Sequence, residues 1–210
     1  MNTLVYTVQI MNASDKEDSL TLSILETIEN KNDVTQRHLA EKLGVALGLA
    51  NSYLKRCVRK GLIKIHQAPA NRYLYYLTPM GLSEKSRLTA EYLTSSFDFY
   101  RRAGDSLTQI YNECGERGWQ RIIFCGVSEL AEIASIRALE HNINIVGVWD
   151  PNSDKKQFLD LPIWKSLIDV DEYDVCLLTE LNNAKATYEL LREQTDIDRI
   201  LVPSILGLGS

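Results

Sequence analysis

TQRHLAEKLGVALGLANSYLKRCVRKGLIKI, residues 35–65, decides the fold of the first half of the chain. Thr35 is a residue type that caps helices, and Leu39, Ala40 and Leu43 recur behind it at helical spacing. Gly44 supplies the left-handed backbone on which such a helix stops. A second helix fits Ala46 to Lys60, with Ala50, Leu54 and either Cys57 or Val58 facing inward, while Asn51, Ser52, Lys55, Arg56 and Arg59 point elsewhere. Gly61 ends it, and Leu62, Ile63 and Ile65 alternate with Lys64 as in a strand. Two helices joined this tightly leave the second protruding, and a protruding helix with amide and basic side chains fits a DNA major groove.

Before this stretch, Asp18 or Ser19 begins an earlier helix with Leu22, Leu25 and Ile28 on one face, ending between Asn30 and Asp33. Residues 1–17 read as a short apolar, strand-like piece, MNTLVYTVQI, followed by a polar loop within NASDKED. On the other side, the polar QAPANR separates the first strand, ending near His66, from a second one, YLYYLT. A hairpin of this kind is a wing, and Arg72 near its tip is placed to enter a minor groove or hold a phosphate. Leu74 and Tyr76 face one side of the second strand, and Tyr73, Tyr75 and Leu77 the other. Thr78-Pro79 then caps the next helix, with proline at its first position.

The order helix, helix-turn-helix, KGLIKI, wing and YLYYLTPMGLSEKSRLTAEYL resembles a MarR-type winged helix over roughly residues 18–100. It is most similar to the regulators of that type associated with exopolysaccharide gene clusters. Their hallmarks include the run from the recognition helix into KGL and a YLLTPKGxxEKxRLT ending. This chain departs at Leu49, where a polar or basic residue is usual, and at Met80, where lysine is common. The resemblance implies a DNA-binding regulator. Leu47, Asn51, Ser52 and Arg56 are the candidates for base edges, and Gln36, Arg37, Lys55, Arg59 and Arg72 for phosphates.

From Ser83 to Glu116 the pattern stays helical, and Leu93, Ser96, Tyr100, Ala103, Leu107, Ile110 and Cys114 alternate spacings of three and four. Such a seam serves a dimerisation helix, or a helix packed on its own chain's second domain. Gly104 permits a break into two helices. Beyond Gly115 to Gly118 the period changes. RIIFCG, INIVGVWD, LPIW, YDVCLLTE and RILVPSI read as strands, and SELAEIASIRALEHN and NNAKATYELLREQT as helices. Strands alternating with helices predict a parallel sheet with right-handed crossovers.

Gly126-Val127-Ser128-Glu129-Leu130-Ala131 follows the first of these strands and opens a helix, the place of a G-x-G-x-x-G/A turn. Ser128 replaces the second glycine; its hydroxyl holds a phosphate or simply caps the helix. Glu129 opposes a phosphate unless it turns outward. Asp150, 24 residues after Gly126, ends the second strand, where an acid commonly holds a ribose hydroxyl. This half resembles the sensor domain of Rex-type redox repressors, the nucleotide-sugar-binding domain of certain sugar acyltransferases, and CoA-binding domains with a GxxxLAxxA turn. Those resemblances imply a nucleotide, nucleotide sugar, NAD or CoA near Gly126, Val127, Ser128, Glu129 and Asp150, with Thr179 and Glu180 closing the pocket. The other expectation is a sheet domain kept as a structural or dimerisation unit.

The formal charge of −5 over 210 residues conceals an asymmetry. Between Asp33 and Arg87 ten Lys and Arg face three Asp and Glu, a surplus of seven positive charges, so the remainder carries −12. A basic island in an acidic chain suits a domain that approaches phosphates, or is a solvated helix surface. Cys57, Cys114, Cys125 and Cys176 are scattered without a CxxC pair, which favours reduced, buried thiols over a metal site. No apolar run approaches the roughly 20 residues of a membrane span, and no signal peptide is visible, so the chain is expected in the cytoplasm. None of His38, His66 and His141 sits beside a candidate nucleophile, and residues 119–210 leave no second catalytic domain. The expectation is a non-enzyme with no catalytic or metal residues.

The whole reads as an α+β winged helix-turn-helix domain followed by an α/β Rossmann-like domain with a mainly parallel sheet. Its divisions are an N-terminal segment 1–17, a DNA-binding domain 18–82, a linker or dimerisation helix 83–117 and a sensing domain 118–210. The expected partners are double-stranded DNA and a second copy of the chain, with a nucleotide-type effector. The alternative function is a protein-interaction module on a winged-helix scaffold.

Overall fold

A computed structural model describes residues 13–69, 72–170 and 172–208. The chain divides into two compact units, Met1–Ser96 and Phe97–Ser210. The strand-like reading of residues 1–10 lies outside the described residues. Among the described residues no helix is long and apolar enough to cross a membrane.

The first unit holds helices α1 (Ala13–Asn30), α2 (Gln36–Leu43) and α3 (Leu47–Arg59), strands β1 (Ile63–Ala68) and β2 (Arg72–Leu77), and the start of α4 (Pro79–Arg117). Helix α1 begins at Ala13, so the loop expected through Asp18 is helical instead. Glu17 and Asp18 stand near its start, and acidic side chains are favourable at a helix N-terminus. Leu22, Leu25 and Ile28 are buried as the periodicity requires, joined by Leu20 and Ile24. The Thr35 hydroxyl accepts the His38 N–H at 3.1 Å and starts α2. Gly44, at φ 63°, stops that helix.

The end of α3 is a Schellman motif. Gly61 sits at φ 71°, with its N–H on the Val58 carbonyl (3.0 Å) and the Leu62 N–H on Cys57 (2.9 Å). Thr78 then joins three elements: its hydroxyl donates to the Gly61 carbonyl (2.6 Å) and accepts the Gly81 N–H (3.0 Å). The wing pairs antiparallel from Ile63↔Leu77 to Ala68↔Arg72, so both strands run further into QAPANR than the sequence suggests. A hydrogen bond from the Tyr75 N–H to the Asn32 carbonyl (2.8 Å) ties β2 to the loop between α1 and α2. Ala50, Leu54 and Cys57 enter the core with Leu39, Leu43, Ile63 and Tyr75, which settles the inward residue as Cys57; Val58 is half-buried.

The second unit contains the rest of α4, strands β3 (Arg121–Cys125), β4 (Asn144–Trp149), β5 (Gln157–Phe158), β6 (Leu161–Trp164), β7 (Val175–Leu178) and β8 (Ile200–Leu201), and helices α5 (Glu129–Ala138) and α6 (Ala184–Arg192). The sheet order is β5-β6-β4-β3-β7-β8. All neighbours are parallel except β5 and β6. Strand β3 is buried on both faces, as the continuous run RIIFC implies. Ile122 and Phe124 pack with Ala103, Leu107 and Tyr111 of α4 and with Leu130 and Ala134 of α5. Ile123 and Cys125 face Trp149, Cys176, Leu178 and Leu191 on the other side. The Tyr111 hydroxyl donates to the Ala134 carbonyl at 2.9 Å and fastens α4 to α5.

The helical seam therefore divides. Ala103, Leu107, Ile110 and Cys114 are spent on the sheet's own core, whereas Leu93 and Tyr100 are exposed. Helix α4 runs unbroken past Gly104, so no break occurs there. The glycine makes room instead: a β-carbon on it would lie 2.8 Å from the Arg137 guanidinium. After β7 the helix α6 ends at Arg192, and the strand expected across RILVPSI shortens to Ile200–Leu201 followed by a 3-10 turn at Ser204–Leu206.

Candidate functional site

Helix α3 and the wing bound a groove of about 710 Å³. Its α3 wall carries Asn51, Ser52, Lys55 and Arg59, its wing wall Ile65, Tyr73 and Tyr75, and Gln36 of α2 also lines it. Helix α3 is capped by Ala46 with no side-chain hydrogen bond, so its orientation depends on the buried face of Ala50, Leu54 and Cys57. Burial pushes the Cys57 thiol up to about 11, as expected for a packing residue.

Lys55, Arg59 and Ser52 are exposed on the groove side. Among the described residues neither Lys55 nor Arg59 makes an ion pair. Leu47 and Leu49 are exposed at the start of α3, and Arg37 on α2. Arg72 lines a second, smaller cleft of about 370 Å³ with Asp33, Thr35, Gln36 and Tyr73. Two expected base-reading residues have further surroundings, Asn51 while still lining the groove. Asn51 is half-buried, and its Oδ1 is buried without a hydrogen bond. Arg56 is ion-paired with Glu17 of α1.

The wing supplies residues that sequence reasoning missed. Ile65 and Tyr73 are 44% and 52% exposed, and with Tyr75 they share one face of the hairpin. The alternation in RYLYYL carried that signal, since Tyr73 and Tyr75 lie two apart. Tyr75 is buried, and Tyr73 lies beyond the core's edge.

In the second unit, Gly126, Val127, Ser128, Asp150 and Thr179 do come together at the carboxyl ends of β3, β4 and β7. Their polar groups face one another. Asp150 Oδ2 accepts the Val127 N–H (3.2 Å), and its Oδ1 accepts the N–H groups of Asn152 (3.0 Å) and Ser153 (2.9 Å). The Thr179 hydroxyl donates to the Gly126 carbonyl at 2.6 Å. The Ser128 hydroxyl donates to the Thr179 carbonyl and accepts the Leu130 (3.1 Å) and Ala131 (3.4 Å) N–H groups, so it caps α5. Glu129 stands in the first turn of α5. Nearby Cys125 is fully buried, and burial raises its thiol well above the ordinary range. Among the described residues no group of three or more His, Cys, Asp or Glu could hold a metal ion.

Residues 17–64 match the family described as winged helix-turn-helix DNA-binding. No curated protein matches the chain. Among solved structures, MepR, a transcription regulator of the Staphylococcus aureus multidrug efflux pump MepA, is similar at 22% identity, over 39% of this chain and 60% of its own, with a TM-score of 0.34. The PcaV transcriptional regulator from Streptomyces coelicolor is similar at 21% identity, over 49% of this chain and 90% of its own, also at 0.34. Human N-acetylserotonin methyltransferase, solved with SAM, aligns at 13% identity over 96% of this chain and 80% of its own, at 0.30. The chain thus spans 60% of MepR's length. The N-terminal unit is a winged helix-turn-helix domain, similar over residues 17–64 to the DNA-binding family of that description.

Proposed function

We propose that this protein is a DNA-binding transcriptional regulator of the MarR type, acting in the cytoplasm as a homodimer on two half-sites. The observation that carries the reading is the groove between α3 and the wing, where Lys55 and Arg59 stand exposed beside Ser52 and Gln36. Cations without ion-pair partners, next to hydrogen-bonding side chains on a protruding helix, suit phosphates and base edges. In this reading Ser52, Leu47 and Asn51 meet base edges, and Gln36, Arg37, Lys55, Arg59 and Arg72 meet phosphates. Arg56 orients α3 through Glu17. Leu93, Phe97 and Tyr100, exposed at spacings of four and three along α4, support contact with a second copy.

The C-terminal unit is read as a Rossmann-like effector domain. Counted from β3, its parallel strands lie in the order 3-2-1-4-5, the doubly wound order, in which ligands bind beyond the carboxyl ends of the strands. An effector there regulates DNA binding through different affinities for two arrangements of the dimer.

The test is titration of the full chain against duplex from its own upstream region and against a scrambled duplex, across a range of salt. Affinity falls linearly in log–log form, with a slope near −0.9 for each phosphate contacted, and the native duplex binds more tightly. Affinity independent of salt would sink the regulator reading.

A further inference from the structure

We infer that the Asp150 carboxylate is the resident anion of the Gly126 turn, and that the C-terminal unit accepts no pyrophosphate there, whether of a dinucleotide, CoA or a nucleotide sugar. Three observations meet on this point. The first is hydrogen bonding. A pyrophosphate at such a turn is held by backbone N–H groups at the start of the following helix. Here the Val127 N–H goes to Asp150 Oδ2, and those of Leu130 and Ala131 go to the Ser128 hydroxyl. Moving Asp150 aside would also release Asn152 and Ser153, whose loop is further held by Lys165 Nζ on the carbonyls of Pro151 (3.2 Å) and Ser153.

The second is space. In a G-x-G-x-x-G turn the first glycine serves the tight bend and the second lets a ligand approach the backbone, and here that second position is Ser128. At Gly126 the approaching group is the chain itself: a β-carbon would stand 2.7 Å from Glu180 Cα and 2.8 Å from its nitrogen. The third is charge. Glu129 and Glu132 occupy the first turn of α5, and the Glu180 carboxylate accepts the Asn182 N–H at 2.8 Å. With Asp150 these place negative charge where a diphosphate would bring more. The acid at the end of β4 thus locks the turn to its neighbouring strands. On the effector reading proposed above, the ligand class narrows to molecules with no diphosphate at this turn; the DNA-binding half does not depend on it.

The experiment uses the full chain, melted and followed by hydrogen exchange alone and with NAD, CoA, UDP-glucose or inorganic pyrophosphate, beside Asp150→Asn. In the wild type no probe raises the melting temperature saturably. Without any ligand Asp150→Asn melts lower by roughly 5 °C, the size expected when charged hydrogen bonds are lost from a domain near one hundred residues. Should that variant fail to fold, hydrogen exchange of the wild type decides, with the ligand-free Val127 amide protected. A saturable rise with any of the four probes that changes exchange at the Val127, Leu130 and Ala131 amides would overturn the inference. So would an Asp150→Asn protein that melts with the wild type, or an unprotected Val127 amide.

Discussion

Arg56 of α3 is ion-paired with Glu17 of α1, so the helix that faces the groove is tied at its outer flank to the first helix of the domain. The two side chains are 40% and 29% exposed, and the pair divides the cations of α3 into one that orients the helix and two, Lys55 and Arg59, that face the groove. Glu17→Gln costs about 0.5 kcal/mol in urea unfolding, since half-exposed pairs contribute little. It also frees Arg56 for phosphates and steepens the salt dependence of duplex binding. An unchanged salt dependence would show that Arg56 stays off the DNA even when released.

Lys55→Ala and Ser52→Ala separate positioning from reading. The lysine variant weakens binding evenly across sequences and flattens the salt slope by about one unit. The serine variant leaves the slope alone and relaxes base preference at one position by about 1 kcal/mol. Competition titrations with single-base duplex variants distinguish the two.

Gly81→Ala is severe for so small a change. A β-carbon there would meet the Leu62 carbonyl oxygen at 2.0 Å, and that carbonyl also accepts the Thr78 N–H at 3.0 Å. Backbone on both sides must shift, at a cost of about 1–3 kcal/mol. The loss registers in thermal melting, and helix propensity, which favours alanine, does not offset it.

Asp174 carries a pH signature. Its carboxylate accepts the N–H groups of Gln120 and Arg121, each at 2.8 Å, and the Arg121 N–H above all holds its pKa below the usual carboxylate value of 3.8. A depressed folded pKa means stability that is present above the unfolded value and lost as pH falls through the lower, folded one. Asp174→Asn is therefore less stable than the wild type by about 1 kcal/mol at neutral pH. The gap closes below pH 3.8 in unfolding measured across acid pH.

Cys57, Cys114, Cys125 and Cys176 are all buried and free. Burial lifts the Cys57 and Cys114 thiols to about 11. At pH 8 a thiol reagent labels none of the four in the native chain and all four in denaturant. Native labelling at Cys57 would mean that the α3 face opens.

The helix-turn-helix was legible because its signals are local. Thr35 makes its hydrogen bond three residues away, Gly44 and Gly61 adopt their left-handed backbone within one turn, and Thr78-Pro79 starts α4 where it stands. The alternation of apolar strands and helices likewise announced a mainly parallel sheet. The start of α1 was missed because acidic and small polar residues suit a loop and a helix N-terminus equally.

Capping, periodicity and charge act over a few residues, so the linear chain already specifies most of the helices and strands, the start of the winged helix and the place of its basic charge. The tasks of the side chains come from packing between distant elements. Arg56 turns to Glu17, Gly104 admits Arg137, half of the α4 seam is spent on the sheet, and Asp150 grips Val127. Each of these pairs groups that lie more than twenty residues apart or, for the seam, on separate elements. Their contact is set by how helices pack and strands register, which no local pattern encodes.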